Sequence, residues 1–438
     1  MLGRGVEKSN CHATVSRVSL FQVDIGQAVF DLMGNLADGN AAMARHLLRH
    51  LTTTKMLRNP EVYCKASSWF SSSTTPVVDL RSDTLTTPTP RMREAMKNAV
   101  VGDDVYREDP TVNRLEEMAA DILGKEAALL VPTCTMANTA AILVHCDGRF
   151  NEVICGDQSH IHVYEVAAIA QFGGVQSRFV QNQPDGTMDI EQIREKIRPL
   201  DDEHQPWTRA ICVENTHNRC GGKVLSLEYM KQVRELSSAH NLVLHLDGAR
   251  LFNAATALNV RPSEITQYCD SVSTAFSKGL CCPLGSIVAG PQHFIAMARR
   301  ARKALGGGMR QAGVVAAPMI VALEEMMGRL SEDHRRARTI AEAVNAMGDN
   351  PVCKVTMSGV HSNIFMLELD GVVTPEQLSQ RMQHVTDQER KSLGEVCTAL
   401  MFPFSKRTVR IVTHNNITDS DVDIVSRKLQ YVIEEMSV

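Results

Sequence analysis

From residue 78 onward, short apolar runs alternate with longer stretches in which apolar residues recur at helical spacing. AALLVP is followed by TCTMANTAAILVHC, and EVICGD by HIHVYEVAAIAQFGG. AICVEN leads through a polar loop to a helix over 227–240, and LVLHLD and SVSTAF complete the series. Short apolar runs bounded by turn residues read as buried strands, and the periodic stretches as helices packed on them. This alternation predicts an α/β fold with a mainly parallel sheet. Ahead of the series, Asp83 and a Thr/Pro cluster predict a turn, Pro90 introduces a helix over 91–100, and another helix starts from a cap at 109–111. Beyond it come a β-type run over 286–289, a long helical stretch over 316–346, and strand-like and helical segments ending in RTVRIVTHNNIT. The expected organisation is a leader over 1–77, a large domain over 78–328 and a smaller C-terminal α+β domain over 329–438.

A chain of 438 residues can bury a large core. The formal net charge of -4 gives no electrostatic case for a nucleic acid or membrane partner. The twelve cysteines form no CxxC pair, which points to reduced core thiols of an intracellular protein. Residues 43–76 differ from the rest: Arg45, Arg49, Lys55, Arg58 and Lys65 face a single acid, Glu61, and the stretch ends in Ser and Thr. It resembles a mitochondrial transit peptide. Since it does not begin at residue 1, either the start is Met43 or the prefix is an alternative leader. The expected location is the mitochondrial matrix if that stretch is a transit peptide, and the cytoplasm otherwise.

The chemistry gathers where strands end. SVSTAF runs into a Ser/Gly turn that carries Lys278, and LVLHLD ends at Asp247, with Arg250 opening the next helix. Burial favours the neutral amine of a lysine, which can then form an imine with a carbonyl. A crossover between the two strands would bring Asp247 and Lys278 to neighbouring strand ends, the edge at which α/β sheets bind ligands. Pyridoxal phosphate needs such a pair: a lysine to hold its aldehyde and an acid to keep its ring nitrogen protonated. Other strand ends carry Thr133, Cys134 and Thr135 at a helix start suited to a phosphate, then His160, then Asn215, His217 and Asn218. A metal site at His160 and His162 is not expected, because on a helix the two side chains face apart. The stretch RKALGGGMRQAG joins Lys303 and Arg310 through three glycines; it follows no strand, so a Rossmann fingerprint is not expected, and its basic groups could instead reach a phosphate across a subunit interface. Arg410 lies in a β-type run, where its forked cation suits a carboxylate.

Residues 79–438 resemble a low-specificity L-threonine aldolase, a pyridoxal-phosphate enzyme of fold type I. The stretches that carry the resemblance are DLRSDT, GDDVYREDPT, ENTHN, HLDGARLFNA, SVSTAFSKGL with PLGS, and GGGMRQAG. The resemblance implies a seven-stranded, mainly parallel sheet flanked by helices. It implies cleavage of L-threonine or L-allo-threonine to glycine and acetaldehyde. Lys278 would hold the cofactor, Asp247 would pair with its ring nitrogen, and His160 would stack on its face. Thr135, with backbone near Cys134, would hold the phosphate. Lys303 and Arg310 would come from a neighbouring subunit of a homotetramer. Ser82, Arg250 and Arg410 would grip the substrate carboxylate or the ring hydroxyl, and His217 would sit near the β-hydroxyl, with His217, His160 or a water as base. Cys134 and Arg107 stand where the family usually has glycine. Another reaction on the same cofactor (a β-lyase, racemase or transaminase) and a non-catalytic scaffold remain as alternatives.

Overall fold

The computed structural model describes residues 75–437; the leader reading over 43–76 lies almost entirely outside them. The central sheet has seven strands: β2 (Ala127–Val131), β3 (Asn151–Gly156), β4 (Gln176–Val180), β5 (Trp207–Glu214), β6 (Val243–Asp247), β7 (Ser271–Ala275) and β8 (Ser286–Gly290). Their spatial order is β2-β8-β7-β6-β5-β3-β4. Only β8 runs against its neighbours. The fold is therefore the α/β arrangement expected, with a mainly parallel seven-stranded sheet. Its strands read as apolar runs because helices cover both faces; Leu129, Ile154, Ile211, Leu244, Val272 and Ile287 are fully buried.

Strand β1 (Val77–Asp79) lies apart from this sheet and pairs in parallel with β11 (Thr398–Leu400). A second sheet combines β9 (Cys353–Lys354), β10 (Ile364–Leu369), β12 (Phe402–Pro403) and β13 (Thr408–Val412), the last being the β-type run of Arg410. Val78 and Leu80 pack in one hydrophobic cluster with these strands and with the helices Leu330–Asn345 and Asp419–Met436. The first described residues thus return to the C-terminal part of the chain, which brings Ser82 and Asp83 beside the main sheet.

The helices follow local signals. Asp109 caps the helix Pro110–Ile122, accepting from Thr111 and Val112 backbone N–H groups at 3.1 and 3.0 Å. Ser226 caps Leu227–Ala239, whose buried face is Tyr229, Met230, Val233 and Leu236. Three segments differ from expectation. The stretch after β3 is not one helix but two, His160–Val163 and Ala168–Gly173, broken where Val166 and Ala167 take left-handed φ of 54° and 53°. The break leaves Val166 in solvent while Glu165 is turned inward and buried. The stretch over 316–346 is interrupted: Gly313–Val321 contains Pro318, which removes a helical N–H, and a wide π turn and a 3-10 turn follow before Leu330–Asn345. Strand β4 was not anticipated, because QSRFV is a half-polar edge strand without a strong apolar run.

The basic stretch before the three glycines has a structural member. Arg302, at the end of the helix Gln292–Ala304, is buried; it donates to Asp104 Oδ2 at 2.6 Å and to the Leu130 carbonyl at 2.7 Å. Removing one partner of a buried pair leaves an uncompensated charge. Asp104→Ala is expected to lower stability by about 3 kcal/mol, read from the midpoint of a urea titration; an unchanged midpoint would show the pair to be dispensable.

Candidate active site

The parallel pairing of β5, β6 and β7 sets Glu214 beside Asp247 and Asp247 beside Ser273, at the carboxyl ends of adjacent strands. Lys278 follows β7 by three residues. The chain after Asp247 turns tightly: a Cβ on Gly248 would stand 2.7 Å from the Ser273 carbonyl oxygen, so only glycine lets the backbone pass here. Burial pushes the Lys278 amine below the usual lysine range, and the nearby Arg250 cation adds to this, against Asp83 and Asp247. The sheet thus brings Asp247 and Lys278 to neighbouring strand ends, and the amine is biased toward its neutral form.

The Asp247 carboxylate is held from two directions. Oδ1 accepts the Ala249 N–H at 3.1 Å, and Oδ2 accepts from Asn138 Nδ2 at 2.9 Å. Asn138 is the hub of the floor of the site. Its amide nitrogen also donates to Glu165 Oε1 at 2.8 Å, and its carbonyl oxygen accepts from the Ser273 hydroxyl at 2.5 Å and from His245 Nε2 at 3.1 Å. With Nε2 donating, His245 Nδ1 accepts from the Ser271 hydroxyl at 2.8 Å, and Ser271 accepts from His145 Nε2 at 2.7 Å. Burial pushes His245 down to about 4 and His145 down to about 3, so both are neutral. Cys134, Asn138 and His145 fall on one face of the helix Cys134–His145, a polar stripe turned toward β6 and β7.

His160 opens its short helix with its backbone N–H on Glu214 Oε2 at 2.7 Å and its Nδ1 at 3.0 Å from Glu165 Oε1. Burial disfavours its charged form, but Glu165, Asp247 and Glu214 together outweigh burial and raise it above the usual histidine range. His160, Glu165 and Asp247 bring ligand-type atoms within 4.8 Å of one another. The Asn138 amide already donates to both carboxylates, and His162 turns away to lie 3.9 Å from the Phe179 ring.

On the other side stand the arginines. Arg250 grips Asp83 in a bidentate pair at 2.7 and 2.7 Å, with both side chains buried. Burial alone would raise Asp83, but Arg250 overrides it and holds the carboxyl far below the usual range. Arg410 Nη1 donates to Asn218 Oδ1 at 3.0 Å, an oxygen that Arg250 Nη1 approaches at 3.4 Å, and Arg410 Nη2 donates to the Arg81 carbonyl at 3.0 Å. Burial and the neighbouring Arg250 push Arg410 down to about 10. Ser82 caps the turn, accepting from the Thr84 N–H and hydroxyl at 3.2 and 2.8 Å. His217 is buried; its Nδ1 accepts the Cys220 N–H at 3.3 Å, and its Nε2 has no partner among the described residues. The Oε2 of Glu165 and the Nε of Arg410 are likewise buried without partners.

Thr135 lies in the first turn of the helix Cys134–His145 and lines a 280 Å³ cavity that Ala304 and Leu305 close from the far side. Cys134 turns the other way, its Sγ 3.7 Å from Ser273 Oγ. Burial, with Asp247 beside it, pushes its thiol up to about 12, so it adds bulk and no charge. Arg107 takes a left-handed φ of 61°, a conformation that favours glycine. Lys303 and Arg310 are exposed; Arg310 pairs with Asp103 at 3.0 Å.

A pyridoxal phosphate fits this donor set: an amine biased to neutrality, a fixed carboxylate beside it, a helix start for a phosphate, and buried nitrogen and oxygen atoms still lacking partners. Residue-type reasoning singled out Lys278, Asp247, His160, Arg250 and Arg410, and passed over Asn138, Glu165 and Asp83, which the structure joins to them. Asn138 and Glu165 lay inside stretches that read as packing helices, and Asp83 looked like an ordinary turn residue.

The family profile for beta-eliminating lyases matches residues 79–371. The chain is 47% identical over 349 residues to the probable low-specificity L-threonine aldolase 2 of Arabidopsis thaliana, covering 80% of this chain and 95% of that one. A solved Leishmania major threonine aldolase superposes with a TM-score of 0.66 at 17% identity, covering 81% and 99% of the two chains. A solved SPT with PLP superposes with a TM-score of 0.61 at 17% identity, covering 83% and 88%. Site geometry, family profile and relatives agree: the chain belongs to the beta-eliminating lyase family, in the group of the low-specificity L-threonine aldolases.

Proposed function

We propose that the protein is a pyridoxal-phosphate-dependent aldolase that cleaves L-threonine or L-allo-threonine into glycine and acetaldehyde. The observation that carries the reading is the depressed Lys278 amine at the strand end beside the anchored Asp247 carboxylate, opposite an Arg410 that has no carboxylate partner among the described residues. Lys278 would hold the cofactor's aldehyde, Asp247 its ring nitrogen, His160 its face, and Thr135 with the Cys134 backbone its phosphate. When bound, the cofactor supplies an electron sink for the pair left as the Cα–Cβ bond breaks.

The chain's own groups do the rest. Arg410 binds the substrate carboxylate and so orients the bond to be broken. Burial, helped by the Arg250 that is tied to Asp83, lowers the proton affinity of the Lys278 amine. His217 accepts at Nδ1, which leaves its buried, unpartnered Nε2 to hold the β-oxygen, while the hydroxyl proton passes through a neighbouring water to solvent. Ser82 shapes the turn that presents Asp83.

The same reading includes a homotetramer in which Lys303 and Arg310 reach a neighbouring subunit's site, which their exposure allows. It includes a division near residue 328, with Arg410 carried by the smaller C-terminal part. Among the described residues no helix is long and apolar enough to cross a membrane, and a matrix address rests on the basic stretch after Met43 alone.

Purified full-length protein with added pyridoxal phosphate is expected to show a bound-cofactor absorbance band and to release acetaldehyde from either substrate, while Lys278→Ala does neither. A cofactor band with pyruvate, an inverted enantiomer or amino-group exchange in place of acetaldehyde would reject the aldolase. Loss of one charge-aligned donor costs ~3 kcal/mol, so Arg410→Ala is expected to lower kcat/KM by about two orders of magnitude; near-normal kinetics would remove Arg410 from the carboxylate site.

The Lys278 shift also has a sign. Its folded pKa lies below the ordinary lysine value of 10.5, so between the two the unfolded chain binds more protons. Stability of the cofactor-free protein should rise with pH across that window, and the penalty should be fully present below it. Lys278→Met should flatten the rise and lift the melting temperature at neutral pH; a variant that melts lower than wild type would contradict the burial of an unfavourable charge.

A further inference from the structure

Arg219 stands two residues beyond His217 and next to Asn218, on the loop that follows β5. Its Nη1 donates to the Tyr164 hydroxyl at 2.7 Å. Its guanidinium lies over two rings, Tyr164 at 5.6 Å and Phe404 at 5.3 Å. Arg410 lies over the same Phe404 ring at 5.4 Å. Tyr164 in turn is 5.5 Å from the His160 ring. The contacts run from His160 through Tyr164, Arg219 and Phe404 to Arg410, along the rim of the site that also holds Lys278.

The two guanidiniums share an electrostatic condition. Their hydrogen-bond partners are a phenol, an amide oxygen and a backbone carbonyl, not carboxylates. Each has a buried Nε without a partner. A guanidinium held by ring faces and neutral oxygens is positioned but not neutralised, and its remaining N–H groups stay available to an anion. One such group suits the α-carboxylate of an amino acid. Two on one ring suit a substrate with a second carboxylate, and Arg219 belongs to the loop whose His217 addresses the β-oxygen.

We propose that Arg219 forms a second anion-binding point and that the enzyme also cleaves β-hydroxy-α-amino acids bearing a carboxylate on Cβ, the smallest being β-hydroxyaspartate; this rests on the aldolase reading of the same site. The chemistry is that of threonine cleavage. The Cα–Cβ bond breaks, the β-hydroxyl loses its proton and becomes the aldehyde of glyoxylate, and Cα takes up a proton to give glycine. No oxidant or reductant is required.

The test sets two substrates side by side on the holoenzyme: L-threonine, read as acetaldehyde, and L-β-hydroxyaspartate, read as glyoxylate. Wild type is expected to cleave both. Arg219→Gln should raise KM for β-hydroxyaspartate by about tenfold or more, while KM for threonine stays within about twofold, because only the dicarboxylate loses a charge-assisted contact. A folding defect would damage both reactions alike. Absence of glyoxylate alongside normal acetaldehyde overturns the inference and leaves the aldolase intact, as does an equal KM change for both substrates. Absence of both products overturns the aldolase reading. L-aspartate, which lacks the hydroxyl, gives a readout independent of turnover: it should raise the melting temperature of wild type more than L-alanine does, and this excess should vanish in Arg219→Gln. Equal shifts for the two ligands would overturn the second anion point.

Discussion

The bidentate pair between Arg250 and Asp83 is the constraint on which the site depends. Arg250 follows β6, Asp83 comes from the first described segment, Asn218 from the loop after β5, and Asn363, which donates to Asp83 at 3.2 Å, from the turn before β10. Four distant pieces of chain meet at one buried charge pair. Two ions taken out of water are tolerated only when their geometry and remaining hydrogen bonds are satisfied, and here each finds its partners only when the pieces are assembled. The pair therefore reports correct tertiary assembly. It also sets the field in which Lys278 sits, since the same Arg250 opposes protonation of the amine.

The floor of the site solves a different problem. Asp247 and Glu165 are two acids brought close together in a dry interior, where burial and the neighbouring Asp247 raise Glu165 above the usual carboxylate range. A single amide, Asn138 Nδ2, donates to both and keeps them apart. The amide cannot rotate, because its oxygen is claimed by Ser273 and His245. A chain of neutral groups then carries hydrogen bonding out to His145, which stacks on Phe294 at 4.6 Å. Satisfied polar networks of this kind fix one arrangement of a core where apolar packing would allow several.

The sheet, its approximate strand set and the Lys278–Asp247 pairing could be read from the chain because they rest on local signals: an apolar run, a turn, a charged residue after it. Asn138, Glu165 and Asp83 could not, because their roles arise only when separate elements meet. Glu165 in particular depends on the helix break at Val166 and Ala167, two residues without the glycine that usually announces a left-handed turn. The interruption before Leu330 was hidden for a similar reason: Pro318 signals a disturbance but not its form. Arg302 shows the converse, a basic residue in a motif-like stretch that serves the scaffold.

The surroundings of Cys134 have a consequence for the durability of the enzyme. A catalyst that liberates an aldehyde lives beside a reactive electrophile, and a thiolate in its own active site would be the first group modified. With its thiol pushed up to about 12, Cys134 strongly disfavours the thiolate at neutral pH. The other nine described cysteines are pushed up by burial as well, none forming a disulfide. Sulfur is abundant in this core, and its surroundings disfavour the thiolate form through which it would react.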